Sequence, residues 1–378
     1  MKKMALLVLL VTTAEIAFAS EAEVRSLNSY EKYSSLLQEI KENRTKAKLV
    51  VDGPRLSFPN PQEEEIVKKH ESYDRTAALA AFRNNTSIEE LTWDWDCMHK
   101  EAGDFFLKGL FEGLTTNTSL KSLILGGFSN VIGLEQVLKA NTSLSSLQLH
   151  GTLLPANRKI KGFFKTLGEN KSLKSLKIYH ESMGATLPLL GDALAVNNTL
   201  TSLTLRSVTF STRALKEFSK SLALNTSLTS LDLFGCTFDE GDAGVDDSGT
   251  QAFAQALVKN STIRNIILND CKISLNGAIA LAEMLVENRS IEQFDLPCIT
   301  IRNTQENVVE ARKNFAKKLE TFESVMQEVL AKNKSITAIR MGTENAGRHE
   351  LSDQENLLYE EMLKRLSNLD SRFQVLGT

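Results

Sequence analysis

One short block recurs nine times along the chain and leaves little freedom in what it can fold into. It reads Asn, any residue, Ser or Thr, a large apolar residue, two variable residues, apolar, variable, apolar. The block opens at Asn85, Asn117, Asn141, Asn170, Asn197, Asn225, Asn260, Asn288 and Asn333. Its apolar triplets include Ile88/Leu91/Trp93, Leu147 and Leu149 after Leu144, Leu200/Leu203/Leu205, Leu228/Leu231/Leu233 and Ile336/Ile339/Met341. The alternation at the end of each block predicts a short strand with one buried face. Successive openings lie 32, 24, 29, 27, 28, 35, 28 and 45 residues apart, which leaves room for a helix in every unit. Between blocks the spacing becomes helical, as in residues 277–285, where Ile279, Ala282 and Leu285 share one face.

A strand with one apolar face and a helix with one apolar stripe cannot bury those faces alone, so neighbouring units must stack and share a core. The expected fold is α/β, a horseshoe-shaped solenoid with parallel strands on the concave face and helices on the convex face. Asn follows each helix directly, a corner where a residue tolerant of left-handed backbone and able to hydrogen-bond local backbone is expected. These blocks and spacings resemble the ribonuclease-inhibitor-like subfamily of leucine-rich repeats, found in NOD-like receptors, Ran GTPase-activating protein and tropomodulin. The resemblance covers residues 85–341 and implies a fold, not a function. The chain departs from NOD-like receptors in having no G-x-x-x-x-G-K-[ST] loop.

The ends read differently. Lys2 and Lys3 precede an apolar run and then Ala17-Phe18-Ala19, so residues 1–19 are expected to be a signal peptide cleaved before Ser20. Residues 20–84 are expected to form a helical cap (Tyr33, Leu36, Leu37, Ile40) and a degenerate first repeat, in which Asn43 would place Leu49 and Val51 as the strand apolar pair. Pro54, Pro59 and Pro61 then break the chain before a helix that ends near Arg83. After the repeats of 85–341, residues 342–378 are expected to be a capping helix. It would start at the Ser352-Asp353-Gln354-Glu355 box and bury Leu358, Met362, Leu363 and Leu366. The long interval before Asn333 predicts a helix from Asn307 to Lys332 with Phe315, Leu319, Phe322 and Met326 on its stripe.

Composition narrows function mainly by exclusion. A net charge of −3 with 24% charged residues offers no basic field for nucleic acid. The four cysteines form no C-x-x-C pair. Cys236 and Cys271 sit at equivalent places in consecutive repeats, where packing is expected, although export would permit oxidation. The acidic loop at Asp239, Glu240, Asp242, Asp246 and Asp247 does not match a calcium-loop spacing. The five histidines are scattered, and no catalytic, nucleotide or zinc motif is present. The expectation is a protein that is not an enzyme and takes no cofactor or metal. Each block also spells N-x-[ST], but the repeat itself dictates those residue types, so glycans cannot be placed from sequence.

Residues alternating with the strand leucines must face outward. In the middle and late repeats these are Gln148, His150, Lys177, Tyr179, Thr204, Arg206, Asp232, Phe234, Ile267 and Asn269. Tyr, Phe and Arg in one neighbourhood are the types that dominate binding energy at protein interfaces. The leading expectation is therefore an exported monomer that binds a protein partner through the concave face, such as bacteria secrete toward a host, with no membrane insertion after signal cleavage. Two alternatives stay open: a GTPase activator, implied only by resemblance to Ran GTPase-activating protein, and a structural surface protein.

Overall fold

A computed structural model describes residues 23–26, 30–52, 75–94, 100–127, 133–150, 158–179, 186–238, 247–296, 298–300, 308–342 and 353–376. The signal segment 1–19, the three prolines and the acidic residues 239–246 lie outside the described residues. The chain divides into two compact units, Met1–Leu153 and Leu154–Thr378.

The first unit runs β1 (Glu23–Ser26), α1 (Tyr30–Lys41), β2 (Lys48–Asp52), α2 (residues 75–83), β3 (Glu90–Asp94), α3 (Lys100–Leu114), β4 (Ser122–Gly126), α4 (Leu134–Ala140) and β5 (Ser146–His150). Each strand pairs in parallel with the next. The register sets Leu49, Leu91, Leu123 and Leu147 in one line and Val51, Trp93, Leu125 and Leu149 in a second. All eight are fully buried or nearly so, because every second side chain of a strand points the same way and here that way is the helix layer. The block opened by Asn43 thus supplies a genuine strand, β2, in register with the regular repeats.

The second unit repeats the pattern: α5 (Arg158–Glu169), β6 (Ser175–Tyr179), α6 (Leu187–Val196), β7 (Ser202–Arg206), α7 (Thr212–Leu224), β8 (Ser230–Asp232), α8 (Ser248–Lys259) and β9 (Asn265–Ile267). It continues β10 (Lys272–Ser274), α9 (Leu275–Glu287), β11 (Gln293–Asp295), β12 (Cys298–Thr300), α10 (Val308–Lys332), β13 (Ala338–Gly342), α11 (Asp353–Leu369) and β14 (Phe373–Leu376). A parallel sheet in the order β6-β7-β8-β9-β11-β13-β14 lines up Leu176, Leu203, Leu231, Ile266, Phe294, Ile339 and Phe373. Consecutive helices from α5 to α11 pack side by side over it. β10 and β12 form a separate parallel pair. The 25-residue α10 buries Phe315, Leu319, Phe322 and Met326 on the expected stripe.

The asparagine corner differs from the expectation in its backbone and explains the block better. Asn141, Asn197, Asn225, Asn260 and Asn288 adopt extended backbone, with φ between −80 and −65 and ψ between 129 and 136. Asn43, which opens the degenerate first block, does have the expected left-handed backbone, with φ 56, but in later repeats the left-handed residues lie ten positions after the asparagine, at Gly127, Ser207, Gly235 and Asp270, where the chain turns out of the strand. What selects Asn is its side-chain amide. Asn225 Oδ1 accepts from the backbone amides of Ser227 (3.1 Å) and Leu228 (2.8 Å), while Nδ2 donates to the carbonyls of Leu194 (2.7 Å) and Asn197 (3.2 Å) in the previous repeat. Asn117, Asn141, Asn197, Asn260, Asn288 and Asn333 repeat this set. Neither Asp nor Gln offers both functions at that length. The Ser or Thr two positions on joins the ladder, as Ser227 and Ser290 hydroxyls donate to Asn197 and Asn260 carbonyls, each at 3.2 Å. All nine block asparagines are at most 5% exposed, so a glycan on any Nδ2 would displace the ladder from the folded chain.

The C-terminal end also differs from a capping helix alone. Met362, Leu363 and Leu366 of α11 are buried as expected, but the chain then returns as β14, parallel to β13. No block Asn opens this last strand, and Arg372 takes over its role. Its guanidinium donates to the carbonyls of Asn333 (2.7 Å) and Leu330, the positions that the next asparagine of the ladder would reach. The Asp370 carboxylate holds that guanidinium in place at 2.6 to 3.1 Å, and Arg372 in turn holds the Asp370 carboxyl below its ordinary pKa.

Candidate partner-binding face

With the leucines turned toward the helices, the opposite side of each strand presents the variable residues of the block. In the second unit these form three register rows across adjacent strands. The first row is Ser175, Ser202, Ser230, Asn265 and Gln293, and the second is Lys177, Thr204, Asp232, Ile267, Asp295 and Arg340. The third begins with Tyr179 beside Arg206, and Phe234 and Asn269 continue it just beyond their strands.

The third row is organised around Arg206. Its guanidinium carbon lies 5.5 Å from the Tyr179 ring centroid and 5.3 Å from that of Phe234, within cation–π range of both. Asp232 on the neighbouring strand accepts from Arg206 Nη2 at 3.0 Å and Nε at 3.3 Å. The other carboxylate oxygen of Asp232 accepts the Phe234 backbone amide at 3.0 Å, which fixes the turn that carries the ring. Two strands further on, Arg340 pairs with Asp295 at 3.2 Å. Burial raises the pKa of Asp295, the Arg340 bond and charge oppose that rise, and the charge of Asp232 adds to it.

All ten residues expected on the outward face lie on it, at different depths. Lys177, Tyr179, Arg206, Phe234, Ile267 and Asn269 are half-buried, whereas Thr204 and Asp232 are closed off at 5% and 7% exposure. Strands about 4.8 Å apart leave a short side chain in the shade of long neighbours. Asp232 therefore serves to hold Arg206 rather than to meet solvent. Gln148 and His150 belong to the first unit, where they are half-buried and Gln148 Nε2 hydrogen-bonds His150 Nε2. Asp295, Arg340 and the serine row were not among the sequence candidates, although the same alternation carried to later blocks and one step earlier in each strand reaches them.

Cys236 and Cys271 are buried free thiols. Each donates to the last strand-leucine carbonyl of the preceding repeat, Leu205 at 3.2 Å and Leu233 at 2.8 Å, so they act as packing residues with a weak polar tether. Asp247 is tied to Ser274 and Asn276 at the start of α9. Among the described residues no group of three or more His, Cys, Asp or Glu is arranged to hold a metal ion, and no helix is long and apolar enough to cross a membrane.

The parallel strands in register, the alternating helices and the side-chain amide ladder define the fold as a leucine-rich-repeat solenoid. No family model and no curated protein matches the chain. Among solved structures, actin-binding site 2 of leiomodin-1 is similar at 19% identity over 54% of this chain and 91% of that one, with a TM-score of 0.26.

Proposed function

We propose that this chain is an exported scaffold, not an enzyme, whose repeats are of the ribonuclease-inhibitor-like kind and which binds a partner protein through the outward strand face of its second unit. The observation that carries the proposal is the Tyr179–Arg206–Phe234 stack. Large side chains that stand on two strands and the turn after a third, and hold each other in place, lose little further freedom on binding, which removes much of the usual entropic cost. Tyr and Arg are also the types that recur at energetic centres of interfaces. Asp232 keeps the arginine fixed without exposing a second charge.

Export is proposed from Lys2, Lys3, the apolar run and Ala17-Phe18-Ala19. Intact-mass measurement on secreted protein is expected to show a chain starting at Ser20, and a retained leader in the exported product would refute cleavage. For the binding face, the partner is captured first and hydrogen exchange is then compared with and without it. Protection is expected in residues 175–179, 202–206 and 230–234. Protection confined to the outer helix faces would overturn the proposal.

A further inference from the structure

Charge on the strand face of the second unit is almost entirely settled within the molecule. Arg206 is neutralised by Asp232, Arg340 by Asp295 and, at the start of their strands, Arg264 by Glu292. Lys177 departs from this: it stands in the central row between the serine row and the aromatic row, and no ion pair engages it among the described residues. Lys174, exposed at the start of the same strand, also has no ionic partner among them. Beside Lys177 the relief is stepped. Ser175, Ser202 and Ser230 sit side by side with hydroxyls that make no hydrogen bond among the described residues, and Tyr179, Arg206 and Phe234 rise on the other flank.

Resting on the strand-face function proposed above, we infer that the partner presents an acidic, aromatic-bearing protein segment that crosses β6, β7 and β8. A carboxylate of that segment pairs with Lys177, with the serine hydroxyls as further donors to it and to the segment's carbonyls. An aromatic or apolar side chain two or three residues away lies on the shelf made by Tyr179, Arg206 and Phe234. An uncompensated lysine beside open hydroxyls favours an anionic group, while the shelf, its only cation already neutralised, favours a flat apolar one. A basic segment would meet Lys177 with like charge and find Asp232, the aspartate on the strands it crosses, already paired with Arg206.

The test uses the full chain and labelled polymers as probes: a random glutamate–tyrosine copolymer, polyglutamate, a lysine–tyrosine copolymer and polyuridylate. The glutamate–tyrosine copolymer is expected to bind more tightly than the other three, and more weakly as salt is raised. Lys177→Glu is expected to weaken it by about tenfold or more, Lys177→Arg to preserve it, and Tyr179→Ala to weaken it by a similar factor. Lys216→Glu and Lys259→Glu, on the helices, are expected to change it by less than about twofold. Preference for the lysine–tyrosine copolymer, or indifference to Lys177→Glu while Tyr179→Ala still weakens binding, overturns the acidic partner and leaves the strand face standing. Tighter binding of polyuridylate overturns the choice of a protein segment, and so does failure of the glutamate–tyrosine copolymer to bind. Loss of binding in the helix variants with none at Lys177 or Tyr179 overturns the strand face itself.

Discussion

At the asparagine corner seven repeats, from Asn117 to Asn333, do the same thing: one amide takes two backbone donors from its own turn and gives two bonds to the repeat before it, as Asn225 does. On the outward strand face Lys177, Thr204, Asp232 and Ile267 share one register line, and no two of them are alike. The corner is uniform because its partners are backbone atoms, which every repeat presents in the same geometry. The strand face has no such obligation, so its residues are at liberty to serve a ligand. Positions whose partners are backbone atoms of the stack therefore report on stacking, and outward positions on the same strands that lack such partners are where function is to be sought.

The largest expected effect breaks the corner. Asn225→Ala removes the side-chain partner of the Leu194 carbonyl and of the Ser227 and Leu228 amides in a buried site, leaves the Asn197 carbonyl with the Ser227 hydroxyl alone, and is expected to cost about 3–5 kcal/mol. Asn225→Asp keeps the acceptor but sets a carboxylate oxygen against the Leu194 and Asn197 carbonyls in a buried site, so it is expected to cost at least as much as the alanine. Urea denaturation measures both, and a loss below about 1 kcal/mol for the alanine would show that the ladder is incidental. Next come the inward strand positions. Leu231→Ala and Leu203→Ala, both fully buried, are expected to destabilise by about 2–5 kcal/mol through lost transfer energy and a residual cavity.

The smallest effect sharpens the contrast on the outward side. Because burial raises the folded pKa of Asp295 above its ordinary value of 3.8, the folded state holds that proton to higher pH than the unfolded state does. Stability from this group is therefore present at low pH and declines as pH rises from about 3.8 through the raised value. Asp295→Asn should remove that component of the slope in melts taken across the same window. An unchanged slope would mean that the Arg340 bond cancels burial, and a change of opposite sign that it outweighs it.

Much of the fold was legible because its determinants are periodic. The nine asparagines announced the repeats, and the triplets such as Leu200/Leu203/Leu205 announced which way each strand faces. What was not legible depends on neighbours distant in sequence. Alternation places Thr204 and Asp232 on the outward side but does not reveal that taller side chains on adjacent strands cover them. The extended backbone at the corner was hidden because Asn suits both left-handed turns and amide ladders, and only the preceding repeat decides between them. β14 escaped notice because Arg372 reaches the ladder carbonyls from a different place in the block, by length rather than by position. The Arg206 stack was half legible: its residue types were visible in three blocks, its geometry was not.

The most direct test of the account is titration calorimetry of the captured partner against five variants, with melting curves taken alongside. Tyr179→Ala and Phe234→Ala are each expected to weaken binding by about 1–3 kcal/mol while leaving stability nearly unchanged. Arg206→Ala is expected to weaken binding through loss of the element that both rings lean on, and Lys216→Ala and Lys259→Ala to be silent. If the two helix variants abolish binding and the three strand-face variants leave it intact, the partner docks on the helices and the function assigned to the strand face is wrong.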